Sequence, residues 1–515
     1  MPTPTLLLHW QDVAVCAVYA SGVALTLRLL RSPQPLDGET YFLADRRLPA
    51  WLAAMSLIAT MQSAATFIGI PDYAFKHDFT YLTFGLSMLI GTWLATWIFL
   101  PRFQASQVRT VYDLLALRFG TAIVGPASVA FLLGRLLSEG TKLYLAGVAL
   151  AVISTGGHAE AAVLACIAFV AAGSLALVLR GGLRAVVWFD ALNLLVYVAA
   201  ALVLLGSAWT LIDSPLAVVL EGLRHDPSGV DKLRVFDLSL QLDRPFSLLS
   251  AVTGLALMHL AAIAFDHANA QRLIACRSLL DARRSAWGGT VGMLVIFTLM
   301  LVVGATLYVV YARPDLMGGT ALGSAGDMAV TMHFALTHAP PGVRGIALLG
   351  LLAATITTTM SGINAMAAVL VGMRGPCAPA RAGGSGVGNL SASVCTGSAI
   401  AGVAITALYV HRIYATSLIE FSMAANAMAY AGLAGVFLLA LVRQRGSAGS
   451  AVAALVLGPV VALLLQPAVL HVLPIPGVPA DLAFSWSAAA GTAAAFLAGI
   501  SCRARPPAGQ LQMPA

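Results

Sequence analysis

Charge is scarce in this sequence. Only 10% of its 515 residues are Asp, Glu, Lys or Arg, against roughly 25% in a soluble protein. Lysine is nearly missing, with Lys76, Lys142 and Lys232 the only three. A water-facing surface cannot be covered with so few charges. A secreted enzyme, a nucleic-acid-binding protein and a disordered scaffold are therefore excluded for the chain as a whole. Cysteine is sparse too: Cys16, Cys166, Cys276, Cys377, Cys395 and Cys502 stand apart. With no CxxC and no Cys/His cluster, neither a disulfide framework nor a zinc site is expected. Chemistry-bearing motifs are also lacking. There is no HExxH, no GK[ST] phosphate loop and no paired aspartate for a metal–diphosphate site, so an enzyme is not expected.

What is present is hydrocarbon. Hydrophobic residues make up 59% of the chain, and the mean hydropathy is +0.88. A helix crossing a bilayer needs about 20 apolar residues. Thirteen such stretches occur, near 11–30, 51–75, 80–100, 122–152, 159–179, 185–212, 248–268, 285–311, 345–372, 389–411, 414–442, 449–471 and 482–501. The first lacks a small-residue cleavage site and ends at Arg28 and Arg31, so it is expected to be a retained span. The prediction is an all-α, polytopic protein of the lipid bilayer with a single membrane domain over 1–515 and no obligatory protein partner.

Orientation follows from the cations, which concentrate on the cytoplasmic side of membrane proteins. With the N-terminus outside, 19 Lys/Arg fall in cytoplasmic segments, 8 in external ones and two within spans. The inside set includes Arg46, Arg47, Arg272, Arg277, Arg283, Arg284, Arg443, Arg445, Arg503 and Arg505. The C-terminus is then cytoplasmic. The net charge of +7 reflects this partition rather than a nucleic-acid partner. Two external loops, Asp213–Arg244 and Arg313–Gly342, are long enough to hold short helices. A Gly-rich cytoplasmic linker is expected over 374–388 and a disordered Pro-rich tail over 503–515. The preference for Arg over Lys, with abundant Ala and Gly, points to a GC-rich bacterial genome and hence a bacterial inner membrane.

Polar residues inside the spans carry the functional signal. The second span has Thr60, Gln62, Ser63 and Thr66 in its middle, followed by Gly69 and Pro71. That pattern suits an unwound segment whose carbonyls face an ion or solute; it also suits packing of small residues with back-bonded hydroxyls. The ninth span gathers Thr357, Thr358, Thr359, Ser361 and Asn364. Its hydroxyls and freed carbonyls are hard ligands suited to Na⁺, or else they hydrogen-bond between helices. Arg135, Glu139 and Lys142 share one face of the fourth span. One Glu can neutralise one of the two cations, which leaves a formal +1 that an anionic solute would balance. A self-neutralising structural triad is the alternative. Asp190 is read as an interfacial carboxylate near Arg184, and Asp266 and His267 as span-end residues next to Arg272. His259 lies well inside the seventh span, as a packing residue or a ligand.

Four segments together resemble the sodium:solute symporter family. They are YFLADRRLPAWLAAMSLIATMQSAATFIG (Tyr41–Gly69), GGLRAVVWFD (Gly181–Asp190), DHANAQRLIACRSLLDARR (Asp266–Arg284) and LLAATITTTMSGINA (Leu351–Ala365), in the family's order. The resemblance implies a LeuT-like core of two inverted five-helix repeats, 52–212 and 248–442, with one added helix (11–30) before and two (449–501) after. The first helix of each repeat would be broken, in the seventh span near Thr253–His259. It implies a sodium site made by the carbonyls of Ala59, Gln62 and Ala354 with the hydroxyls of Thr357 and Thr358. Asp190 and Ser361 match a second sodium site found in some members, but Met360 stands where a serine is expected. His267 replaces a usual glutamine. Solute-facing positions would include Ser63, Thr66, Arg135, Glu139, Lys142 and His259. Thr66 and His259 are smaller than the amides of the sugar-binding members, so a sugar site copied from those members is not expected.

The expected function is a Na⁺-coupled symporter importing a small organic solute, such as a monocarboxylate, by alternating access. Proton coupling would need a titrating group at the cation site. A neutral solute (a sugar, amino acid or nucleoside) and a membrane sensor are the remaining alternatives; only a short tail follows residue 501, which argues against a fused signalling domain.

Overall fold

Apolar runs with no water to satisfy their backbones must bond internally, which makes them helices. The computed structural model describes residues 9–29, 38–157, 159–318, 322–323, 328–373, 386–413, 418–442 and 444–502, with the side chains of 386–387 and 409–425 outside the description. Most of the 374–388 linker, the tail from 503, and Arg31, Cys377 and Arg443 lie outside the described residues. Among the described residues the chain is helical, with isolated bridges but no strand.

Eight helices are long and apolar enough to cross a membrane, and the pair α2 (Ala50–Met61) and α3 (Ala64–Lys76), bent by 68°, makes a ninth span. The 50-residue helix Glu160–Trp209 is interrupted at Gly182, where φ is 53° and ψ −144°, so it supplies two segments. Three shorter apolar helices end the chain: Asn426–Ala440, Ala448–Leu464 and Phe484–Ile500. Together these account for all thirteen apolar stretches read from the sequence. Outward-facing Leu133, Phe169, Leu195, Leu202 and Val295 are exposed, which suits contact with lipid rather than water.

Burial separates centre from rim. The helix containing the ninth span, Val343–Gly372, has 89% of its apolar window buried, whereas α1 (Trp10–Leu29) has 6%. The rest of the chain supplies α4 (Thr83–Leu94), α5 (Val124–Thr155) and α6 (Glu160–Trp209). Then come α7 (Leu216–Arg224), α8 (Leu248–Val252), α9 (Gly254–Leu260), α10 (His267–Ile274), α11 (Leu279–Ala312) and α12 (Val330–Thr337). The central helix Val343–Gly372 is α13, and its most extensive packing partner is α6.

Both long loops hold a short helix, α7 and α12, as expected. The first is strapped down by charge. Arg313 pairs with Asp226 at 3.1 Å, and Arg234 pairs with Asp78 at 2.7 Å. Lys232 donates to the Phe75 carbonyl while lying over the Tyr308 ring.

Candidate functional site

The break in the second span falls at Gln62–Ser63, upstream of Gly69 and Pro71, which lie within α3. The cause is a cap. Ser63 Oγ accepts from the Thr66 N–H at 3.4 Å, and the Ser63 N–H donates to Thr66 Oγ1 at 2.7 Å. This reciprocal capping box starts a new helix. Gln62 is left extended between the two pieces (φ −80°, ψ 142°). No hydrogen bond reaches its carbonyl among the described residues. The Gln62 side chain is buried; its amide nitrogen lies 3.1 Å from Met293 Sδ, and its amide oxygen has no partner among the described residues. An unpartnered buried polar atom is costly, so both oxygens of Gln62 are available to a ligand.

The hydroxyl cluster of α13 stands beside this break. Thr60 Oγ1 and Ser361 Oγ are 3.2 Å apart. One turn earlier on α13, Thr357 Oγ1 accepts from Asn193 Nδ2 at 2.8 Å, and Thr358 Oγ1 donates to the Ala354 carbonyl at 3.2 Å. Thr357, Thr358 and Ser361 are all buried. Residues some 300 positions apart thus build one oxygen-lined region from an interrupted helix and a continuous one.

Asp190 is not interfacial, and Arg184 is not its partner. It is fully buried and paired with Arg272, whose Nη2 lies 2.8 Å from the carboxylate. The same Nη2 donates to Ser361 Oγ at 2.6 Å, and Ser56 donates to Asp190. Arg272, which the sequence placed in a cytoplasmic loop, is therefore a buried cation held between Asp190 and Ser361. The physical reason is α10, a helix whose residues are all buried and which carries Asp266–Arg272 into the protein.

The charged face of α5 is likewise corrected. Arg135 pairs with Glu139 at 3.0 Å, and Lys142 with the same Glu139 at 3.1 Å. Asp266 supplies a second carboxylate, 2.8 Å from Arg135, and it also accepts from the Tyr430 hydroxyl at 2.8 Å. Two cations meet two carboxylates, so the formal +1 inferred from the triad is absent. Asp266 is not a surface residue beside Arg272; it is an internal counter-ion at the start of α10.

The seventh span breaks at Thr253 (φ −116°, ψ −95°), between α8 and α9, at the leading edge of the expected interval. His259 sits within helical α9. Its Nε2 lies 3.2 Å from Thr92 Oγ1, which in turn lies 2.7 Å from Thr290 Oγ1, while Nδ1 has no partner among the described residues. Thr290 and Met293 are three residues apart on α11. Helix α11 therefore touches the Gln62 side chain through Met293 and the Thr92–His259 pair through Thr290.

A model of the family described as "Sodium:solute symporter family" matches residues 41–458. The chain belongs to the sodium:solute symporter family. Among its relatives is the human sodium/iodide cotransporter, 25% identical over 362 residues, which cover 70% of this chain and 54% of the relative. Another is the zebrafish (Danio rerio) sodium-coupled monocarboxylate transporter 2, 23% identical over 446 residues, covering 86% of this chain and 68% of the relative. The chain spans about half the length of several curated relatives it matches. A structure described as the substrate-bound outward-open state of a Na⁺-coupled sialic acid symporter superposes with a TM-score of 0.78 at 19% identity, covering 95% of this chain and 97% of that one. This likeness shows the fold: an all-helical, LeuT-like, multi-pass membrane architecture.

In this symporter-family chain the candidate ligands are oxygens, and among the described residues no group of three or more His, Cys, Asp or Glu could hold a metal ion. That donor set suits a hard monovalent cation better than a transition metal. Sequence reasoning missed Asn193, Thr92, Thr290 and Met293, as well as the counter-ion role of Asp266. Each acts across more than 80 residues of sequence, so no local spacing reveals it. The one usable sign was their type: an amide, hydroxyls and a carboxylate within apolar helices.

Proposed function

We propose that this chain is a Na⁺-coupled secondary transporter that imports a small organic solute by alternating access. One observation carries the reading. The Gln62 carbonyl is freed by the helix break, and the Thr60–Ser361 contact sets that break against the hydroxyl cluster of α13. The carbonyls of Ala59, Gln62 and Ala354 with the hydroxyls of Thr357 and Thr358 would hold the cation. One cation is proposed rather than two, because the Arg272 guanidinium already lies between Asp190 and Ser361 and the neighbouring Met360 offers no hard ligand. Moving one charge inward releases about 2.3 kcal/mol per 100 mV, enough to drive a solute uphill.

The repeats are proposed to be 52–212 and 248–442, each opened by a broken helix, at Gln62–Ser63 and at Thr253. The protein is placed in a bacterial plasma membrane with its N-terminus outside, supported by the 19-to-8 partition of cations and the compositional bias. For the solute, the likeness to sodium-coupled monocarboxylate transporters favours a small anion such as a monocarboxylate. The balanced charges at Arg135, Lys142, Glu139 and Asp266 favour a second reading, a neutral solute.

The test is sodium dependence. Thr357→Ala and Thr358→Ala each remove one oxygen, and each is expected to raise the Na⁺ concentration for half-maximal stabilisation of the purified protein by about tenfold or more. A screen of carboxylates and neutral solutes by thermal shift, with and without Na⁺, separates the two solute readings. Unchanged sodium dependence in both variants defeats the cation-site assignment.

A further inference from the structure

Helix α1 precedes the family match, which begins at residue 41. It is the least buried of the eight long apolar helices, so packing alone gives it little hold on the core. Its polar contacts are more specific. Asp12 is buried, and its carboxylate accepts from the backbone N–H of Gly342 at 2.9 Å and of Gly345 at 2.7 Å, at the start of α13. A Cβ on Gly345 would fall 2.6 Å from Asp12 Cα, so the two helices touch backbone to backbone there. Two turns further along α1, and so on the same face, the Tyr19 hydroxyl donates to Asn193 Oδ1 at 2.9 Å. Asn193 is buried on α6, and its Nδ2 donates to Thr357 Oγ1 at 2.8 Å.

We infer that α1 tunes the cation site: Tyr19 and Asn193 are positioning residues that fix the hydroxyl of Thr357, a reading that rests on Thr357 being a cation ligand. The chemistry is that of a second shell. A threonine oxygen has two lone pairs. Asn193 takes one and sets the side-chain rotamer, which leaves the other to point at the ion. Tyr19 holds the amide so that its nitrogen, not its oxygen, faces Thr357. Removing the tyrosine hydroxyl frees the amide to turn, and the ligand loses its fixed direction. Such outer partners commonly matter to ion affinity nearly as much as the ligands do. Asp12 adds a second anchor by capping α13, the helix that carries Ala354, Thr357 and Thr358. A peripheral helix thereby bears on both the position of the ligand helix and the aim of one ligand.

The experiment uses the purified full-length chain, with Na⁺ itself as the probe. Na⁺-dependent thermal stabilisation is titrated, with choline chloride holding the ionic strength. The variants are Thr357→Ala, Asn193→Ala, Tyr19→Phe and the double variant Tyr19→Phe/Thr357→Ala. The expectation is a rise in half-saturating Na⁺ of about tenfold or more for Thr357→Ala. Asn193→Ala should give about three- to tenfold and Tyr19→Phe about two- to fourfold, the range of a lost hydrogen bond. In the double variant Tyr19→Phe should add nothing to Thr357→Ala, because its route to the ion is gone. If Thr357→Ala shifts the titration while Asn193→Ala and Tyr19→Phe do not, the positioning role is wrong and the ligand assignment stands. An equal Tyr19→Phe shift with and without Thr357 means that α1 acts by general packing, which also overturns the inference. If Thr357→Ala has no effect, the ligand assignment fails and the inference fails with it. Should Asn193→Ala not purify, Tyr19→Phe decides the matter, since it removes a single oxygen from a half-buried position on a lipid-facing helix.

Discussion

Asp266 holds the charge balance of the inner network. Its carboxylate serves Arg135 and Tyr430 at once, while Glu139 is shared between Arg135 and Lys142. Asp266→Asn would leave two cations on one carboxylate, with Arg135 buried. Breaking a buried pair by removing one partner costs about 3–5 kcal/mol, so this variant should melt far below the parent or fail to fold. The Lys142 side chain is less buried, 18% exposed, and its loss leaves Glu139 paired with Arg135. Lys142→Gln should change the melting temperature only slightly. Thermal melts of the two variants in the same detergent test the contrast, and equal losses would mean that Asp266 is not the counter-ion. The Arg135–Glu139 pair was legible in the sequence because i,i+4 spacing on a helix fixes the distance. Asp266 and Arg272 were not legible. The sequence reads Asp266 as a span-end residue and Arg272 as a cytoplasmic cation, and their partners Arg135 and Asp190 lie 131 and 82 positions away.

At the scale of elements, the helix breaks show what local sequence can and cannot decide. Hydroxyls and small residues in the second span correctly marked an interruption. Its position depended on the Ser63–Thr66 cap, whereas Pro71 was absorbed inside α3. A further break is at Gly182 in α6. Its φ of 53° with ψ of −144° is a backbone region essentially closed to residues with a Cβ. A Cβ there would also lie 2.2 Å from the Tyr41 carbonyl oxygen. Strain and overlap act together, so Gly182→Ala should cost about 2 kcal/mol or more. A control is Gly206→Ala in the same helix, where a Cβ meets nothing within 4 Å. The control should be neutral or slightly stabilising, since alanine is the better helix former. Matched losses in the two variants, compared by thermal melt, would count against this account of the break.

Across the whole molecule, the thirteen segments were readable because the bilayer imposes one length and one polarity on every span. Long-range ties follow no such rule, which is why the loop straps, the Arg272–Asp190 pair and the docking of α1 emerged only in three dimensions. The proposed orientation rests on the cations. It puts the α10–α11 loop with Arg277 and the first turns of α11 with Arg283 and Arg284 in the cytoplasm, and the strapped loop around α7 outside. Both sides offer exposed reporter positions: Leu280, in the first turn of α11, is 56% exposed and Leu240, in the strapped loop, is 76% exposed. A variant freed of its six native cysteines can carry a single new one at either place. With a thiol reagent that does not cross membranes, Leu240→Cys should label on intact cells and Leu280→Cys only after the membrane is opened. Because the 19-to-8 partition would invert in the opposite topology, the two labelling patterns would exchange rather than blur. Labelling of Leu280→Cys from outside, with Leu240→Cys protected, would therefore reverse the proposed orientation outright.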